Sequence, residues 1–152
     1  MSTYASKTSV SSDRSRAEIE KTLSRYGANA FMYGWEDSRA VVAFQMNGKR
    51  LRFQLLLPNK EDFRRTEKKR QVRSNEAMLS AYDQAVRQKW RALALVIKAK
   101  LEAVESGISV FEEEFLSQIV LPDGNTVGDF MIPQVEQVYL TGSMPPLLPA
   151  PK

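Results

Sequence analysis

One stretch constrains the fold more than any other: FMYGWEDSRAVVAFQMNGKRLRFQLLLP, residues 31–58. Three runs rich in β-branched and aromatic residues are divided by Glu36-Asp37-Ser38 and by Asn47-Gly48. Asn-Gly is a hairpin signal, because both central positions of the favoured two-residue turn need positive φ. Pro58 has no N–H for a further ladder bond and stops the third run. The pattern predicts an antiparallel meander over 30–36, 39–46 and 50–57. A chain of 152 residues is one domain by its length and can bury one face of such a sheet.

The third run alternates. Leu51, Phe53, Leu55 and Leu57 fall on one face, and Arg50, Arg52, Gln54 and Leu56 on the other. The first face is expected to pack on helices, the second to meet water or a partner. Phe31, Tyr33 and Trp35 share one face of the first run, expected to be the core side.

The flanks supply the helices. Ser12 or Asp13 is a cap candidate, Ile19, Leu23 and Tyr26 recur at helical spacing, and Gly27 ends the pattern. A long helix is expected from Asn75 to Ser106, with Tyr82, Val86, Trp90, Leu93, Ile97, Leu101 and Val104 as one apolar stripe. A second is expected over 109–119, with Val110, Phe111, Phe115 and Ile119 inward. After the turn Leu121-Pro122-Asp123-Gly124, a short helix starts near Thr126 or after Pro133 and runs to Leu140. The expected fold class is α+β: an N-terminal helix, a three- to four-stranded antiparallel β-meander, then a long helix and shorter C-terminal helices packed on one sheet face. The optional fourth strand lies near Tyr4–Val10. The domain spans 13–142, between a mobile Ser/Thr-rich segment at 1–12 and a proline-rich tail at 143–152.

Composition excludes several chemistries. The chain has neither cysteine nor histidine. Disulfides, thiolate nucleophiles, Ser/His/Asp or Cys/His machinery and the commonest metal ligands are therefore unavailable to it. No apolar run approaches the ~20 residues of a membrane span, and the first residues lack a signal-peptide core. A cytoplasmic location is expected. Phosphate-binding and dinucleotide-binding glycine loops are absent, and no cofactor is expected.

The net charge of +4 conceals a division. Residues 101–152 hold one lysine and eight acids, a balance of −7, which leaves +11 on the first hundred. A basic pole favours polyanions, unless the two halves pack together and neutralise each other. From Lys49 to Arg73 there are ten basic residues and three acids. Arg50 and Arg52 on the strand face, with Lys49 and with Arg64, Arg65, Lys68, Lys69, Arg70 and Arg73 in the adjoining connection, form a candidate phosphate-binding surface. Arg87 and Arg91 on the long helix extend it. The plain alternative is a solvated strand face and a charged loop. Trp90 lies between Lys89 and Arg91 and could stack a base, but its place on the apolar stripe makes it a core residue first.

Glu112, Glu113, Glu114, Asp123 and Asp129 are the acidic residues that could in principle ligate Mg²⁺. Successive glutamates on a helix diverge, Asp123-Gly124 is an ordinary turn, and Pro122-Asp123 lacks the acidic-x-Lys partner of a nuclease. No catalytic residue and no metal ligand is assigned. Pro145, Pro146, Pro149 and Pro151 in the tail are a candidate docking peptide, or simply a loose end.

The segments YASKTSV, RSRAEIEKTLSRYGA and FMYGW, with WRALALVIKAKLEAVESGISVFEEEFL and PPLLP, resemble a family of small bacteriophage and prophage proteins without an established activity. The resemblance covers most of the chain and brings no catalytic residues. It implies a setting in a bacterial host cell: phage DNA metabolism, or interference with a host machine. Two functions are therefore expected. The first is a non-enzymatic nucleic-acid-binding protein that grips the phosphate backbone of DNA or RNA. The second is a protein that binds and modulates a host or phage protein, for example as an anti-defence or regulatory inhibitor. A Mg²⁺-dependent nuclease is the weakest alternative. No membrane partner is expected, and the exposed strand edges and long helix would permit a homodimer.

Overall fold

The structure is a computed structural model and describes residues 8–36, 38–66 and 71–144. It is α+β: an N-terminal helix, a three-stranded antiparallel sheet of order β1-β2-β3, a long helix, and shorter C-terminal helices. The strands are β1 (Ala30–Glu36), β2 (Arg39–Met46) and β3 (Lys49–Leu56), within one residue of the expected bounds. The expected fourth strand near Tyr4–Val10 lies mostly outside the described residues, and Thr8–Val10 is not strand.

The hairpin turn is built as the sequence demands. Asn47 and Gly48 have φ of 54° and 74°, the paired positive values of a twist-matched two-residue turn. This turn fixes the register: Met46 pairs with Lys49, Phe44 with Leu51 and Val42 with Phe53. On the other side of β2, Phe44 faces Phe31 and Ala40 faces Trp35.

Register sorts the side chains onto two faces. Ala40, Val42, Phe44, Met46, Leu51 and Phe53 are buried on the inner face. Helix α1 (Ser12–Arg25) is capped by Ser11, whose side chain accepts a hydrogen bond from the Arg14 N–H, and it buries Ile19 and Leu23. Helix α2 (Asn75–Glu105) is capped by Ser74 and buries Trp90, Leu93, Ala94, Ile97 and Leu101 along the expected stripe. Three rings fill the space beneath β2 and β3: Phe44 and Phe53 stack at 6.2 Å, and Phe115 meets both edge-on.

The expected helix over 109–119 is broken. Helix α3 (Phe111–Glu114) is one turn long and gives way to a 3₁₀ turn at Leu116–Gln118. The cause is the pairing of Ile119 and Val120 with β3. Ile119 bridges Leu51, and the Val120 N–H donates to the Arg50 carbonyl at 2.8 Å, so the chain must become extended to close the outer edge of β3. Phe111 and Phe115 are buried as expected, whereas Val110 is exposed.

Of the two possible starts for the last helix, the structure has Thr126. Helix α4 (Val127–Thr141) opens with a capping box, and Gly142 ends it in the left-handed conformation at φ 70°. Pro133 lies inside it and lacks the N–H that would bond to the Asp129 carbonyl. None of the helices among the described residues is long and apolar enough to cross a membrane.

Candidate interaction face

Among the described residues, the helices cover one face of the sheet and leave the other open. The outer face carries Ala30, Met32, Gly34 and Glu36 from β1, Arg39, Val41, Ala43 and Gln45 from β2, and Arg50, Arg52, Gln54 and Leu56 from β3. A solvated antiparallel face normally alternates polar residues outward. Here the β1 and β2 half is small or apolar between its ends, and Met32 and Leu56 are 66% and 70% exposed. Charge is confined to the rim, at Glu36, Arg39, Arg50 and Arg52.

Two concavities shape this face. One, of about 430 Å³, has Met32, Val41 and Ala43 with Val120 around it and is rimmed by Gln45, Arg50 and Arg52. The other, of about 710 Å³, lies between the sheet (Arg39, Val41, Gln54) and the start of α4 (Asp129, Ile132). Arg52 stands between them. Its guanidinium donates to the Gly124 carbonyl at 2.9 Å and meets the Asp129 carboxylate at 3.3 Å. The Asp129 carboxyl is held below the usual aspartate range, chiefly by the Thr126 backbone N–H and side chain and further by Arg52.

The expected phosphate-binding residues are divided by the fold. Lys68, Lys69 and Arg70 lie outside the described residues. Of the others, Lys49 pairs with Glu112 and Arg52 with Asp129. Arg64 pairs with Glu61, lowering that carboxyl and raising the guanidinium through their hydrogen bond. Arg73 donates to the Phe63 and Arg65 carbonyls at 3.1 Å each. Arg87 bonds to Gln84, and Arg91 reaches Glu18 on α1. Among the described residues, no ion pair uses Arg50 or Arg65. These cations also lie in different places. Arg64, Arg65 and Arg73 line a cavity against Ala81, Gln84, Ala85 and Gln88 of α2, whereas Arg50 and Arg52 line the outer sheet face. The basic and acidic halves of the chain also neutralise each other in part, through Lys49–Glu112, Arg52–Asp129 and Lys100–Glu114.

The aromatic residues separate as well. Trp90 is buried, with the Arg16 guanidinium 5.0 Å from its ring centroid and from that of Tyr33. Trp35 is a correction to the sequence expectation. It is on the core side of β1 by register yet 76% exposed, because it lies at the end of β1 beyond the cover of the helices. Of the acidic residues that could ligate Mg²⁺, Asp123 turns back on its own loop to accept from the Asn125 N–H. No group of three or more acidic side chains among the described residues is arranged to hold a metal ion.

Sequence reasoning missed Arg39, Met32 and Val41 as parts of one face. The signal was present in the two hairpin registers, which align Met32 with Ala43 and Arg52, and Glu36 with Arg39 and Leu56.

No protein-family model, curated protein or solved structure matches the chain.

Proposed function

We propose that this chain is a non-enzymatic protein-binding protein whose outer sheet face takes an acidic, amphipathic segment of a partner. The observation that supports the reading is the open face itself: an apolar floor of Met32, Val41 and Ala43 with guanidinium groups only at its rim. An exposed apolar patch with a polar border is the usual form of an interaction surface. Arg39 and Arg50 supply charge selection, since a basic partner segment would meet them with like charge. In the setting that the family resemblance implies, the partner is a host or phage protein in the bacterial cytoplasm, and binding modulates it.

The experiment uses two fluorescent model peptides of equal helicity, one built from leucine and glutamate and one from leucine and lysine. The acidic peptide is expected to bind and the basic one to fail. Substituting Met32→Ser with Arg50→Ala should weaken the acidic peptide by at least about tenfold. Binding of neither peptide would overturn the reading.

A second reading, single-stranded nucleic acid, draws on Arg39 and Arg50, which make no ion pair among the described residues and share the open face. Backbone phosphates would meet these groups and bases would lie on the apolar floor. It ranks second because six of the eight described candidate cations already bond within the fold and because, among the described residues, the strands place no aromatic side chain on the outer face.

A further inference from the structure

Strand β1 is an open edge of the sheet. The Leu57 N–H donates to the Ser38 carbonyl at 2.7 Å, and bonded pairs alternate along an antiparallel ladder. Ala40, Val42, Phe44 and Met46 therefore bond to β3, and Arg39, Val41, Ala43 and Gln45 to β1. By register, Ala30, Met32, Gly34 and Glu36 turn their N–H and C=O groups to β2, and Phe31, Tyr33 and Trp35 turn theirs away from the sheet. Among the described residues, no strand or bridge takes those outward groups. The opposite edge differs, since Val120 bonds to the Arg50 carbonyl there.

An open edge is a template for another strand, and proteins usually blunt it with lysine, proline, a bulge or a cover. β1 has no lysine and no proline, it pairs with β2 without a bulge, and its one charged residue, Glu36, stands at the end. Six of its seven residues are exposed. Gly34 is a second signal. Glycine inside a strand weakens it and often marks a close approach. Its φ is not positive, and a Cβ built on it would meet nothing within 4 Å, so its own chain gives no reason for glycine there.

We propose that β1 pairs antiparallel with β1 of a second copy, about a two-fold axis at Tyr33, joining two three-stranded sheets into one of six strands. This goes beyond the protein-binding reading and stands apart from it, because it uses the main chain of an edge. Any strand can bond to such an edge, but a second copy also answers its side chains. Centring on Tyr33 is the register that bonds all the outward residues at once, with Phe31 of each copy opposite Trp35 of the other. Met32, 66% exposed, then falls opposite Gly34 of the other copy and fills the space that glycine leaves. Trp35, beyond the cover of its own helices, comes beside Phe31 of the other copy, which packs against that copy's core. Glu36 falls opposite Ala30, so no like charges meet. Each contact occurs twice, and such an interface closes at two copies.

Pairing one short strand buries little area, so the association is weak and the dilute chain is single. The test is sedimentation equilibrium of the full chain from about 1 to about 500 µM, a range that brackets micromolar association. The mass should rise from one chain toward two and no further. Trp35→Pro removes an outward N–H and no bond to β2. It should keep the circular dichroism of the parent and hold the mass at one chain. The chain has no cysteine, so cysteine pairing reads the register. Residues opposite each other in a non-bonded pair stand about 4.5 Å apart at Cα, within disulfide reach, and diagonal neighbours about 7–8 Å, beyond it. A mixture of Met32→Cys and Gly34→Cys chains should therefore form an intermolecular disulfide several-fold faster than either variant alone. One-chain mass throughout would overturn the proposal, whether the edge is empty or the chain's own first residues take it. So would a two-chain species that Trp35→Pro leaves intact, or a cysteine mixture no faster than its components. A Trp35→Pro chain that fails to fold would contradict the outward placement of that N–H, on which the pairing depends.

Discussion

Arg52 reaches across the edge of the sheet to Asp129, with 3.3 Å between guanidinium and carboxylate. That contact joins the outer sheet face to the capping box of α4, where the Thr126 and Asp129 backbone N–H groups each donate to the other's side chain at 3.0 Å. The folded-state carboxyl is lowered, so its stabilising effect is present above the ordinary aspartate value. It is lost as pH falls through the lower folded value. Acidification from about pH 5 to about pH 2 should therefore loosen α4 at its N-terminus. Asp129→Asn should reduce that dependence and lower stability near neutral pH. Carboxyl titration by NMR, with thermal unfolding at each pH, checks both.

The two tryptophans give a built-in contrast. Trp90 is buried against Arg16 and Tyr33, and Trp35 faces solvent. Trp35→Phe should leave a blue-shifted emission that acrylamide quenches poorly. Trp90→Phe should leave a red-shifted, readily quenched emission. Trp90→Ala should cost about 3–5 kcal/mol in denaturant unfolding, as for other buried large side chains.

Substitutions on the outer face should separate stability from binding. Met32→Ser and Leu56→Ser remove exposed side chains that are not members of the buried core cluster. Their unfolding free energy should stay within about 0.5 kcal/mol of the parent, while affinity for the acidic model peptide falls. Val42→Ser, one strand position away and fully buried, should instead destabilise by about 2 kcal/mol or more.

The cations that bond within the fold should behave as structural groups. Arg91→Ala breaks the contact from α2 to Glu18 on α1 and leaves the half-buried Glu18 carboxylate without that counter-charge. It should lower the melting temperature by a few degrees without changing binding to the face. Arg50→Ala should do the reverse, leaving melting unchanged and weakening the acidic peptide.

The fold was legible because its signals are local. Asn47-Gly48 dictates the hairpin and its register, and the spacing from Tyr82 to Val104 needs no tertiary information to read as one helix face. The break after Glu114 was not legible, because it is imposed from outside the segment: Val120 has to bond to the Arg50 carbonyl, a partner 70 residues earlier in the chain. The exposure of Trp35 was hidden for a similar reason. Alternation assigns it a face but not whether the helices extend that far. The charged residues were the least legible. Ten basic residues between Lys49 and Arg73 read as one surface in sequence. The fold sends Arg64, Arg65 and Arg73 to α2 and Arg50 and Arg52 to the outer face. Glu112, Asp129 and Glu18 come from segments whose contacts with Lys49, Arg52 and Arg91 no local pattern announces.

The most direct measurement is a competition on one sample: fluorescence anisotropy of the purified chain with the leucine–glutamate peptide and with single- and double-stranded DNA and RNA, across a salt series. The account predicts saturable binding of the acidic peptide that Met32→Ser and Arg50→Ala weaken. It predicts at most weak nucleic-acid binding that added salt removes. Tight oligonucleotide binding with a steep salt slope, together with no peptide binding, would contradict it and make the outer face a surface for phosphate backbones.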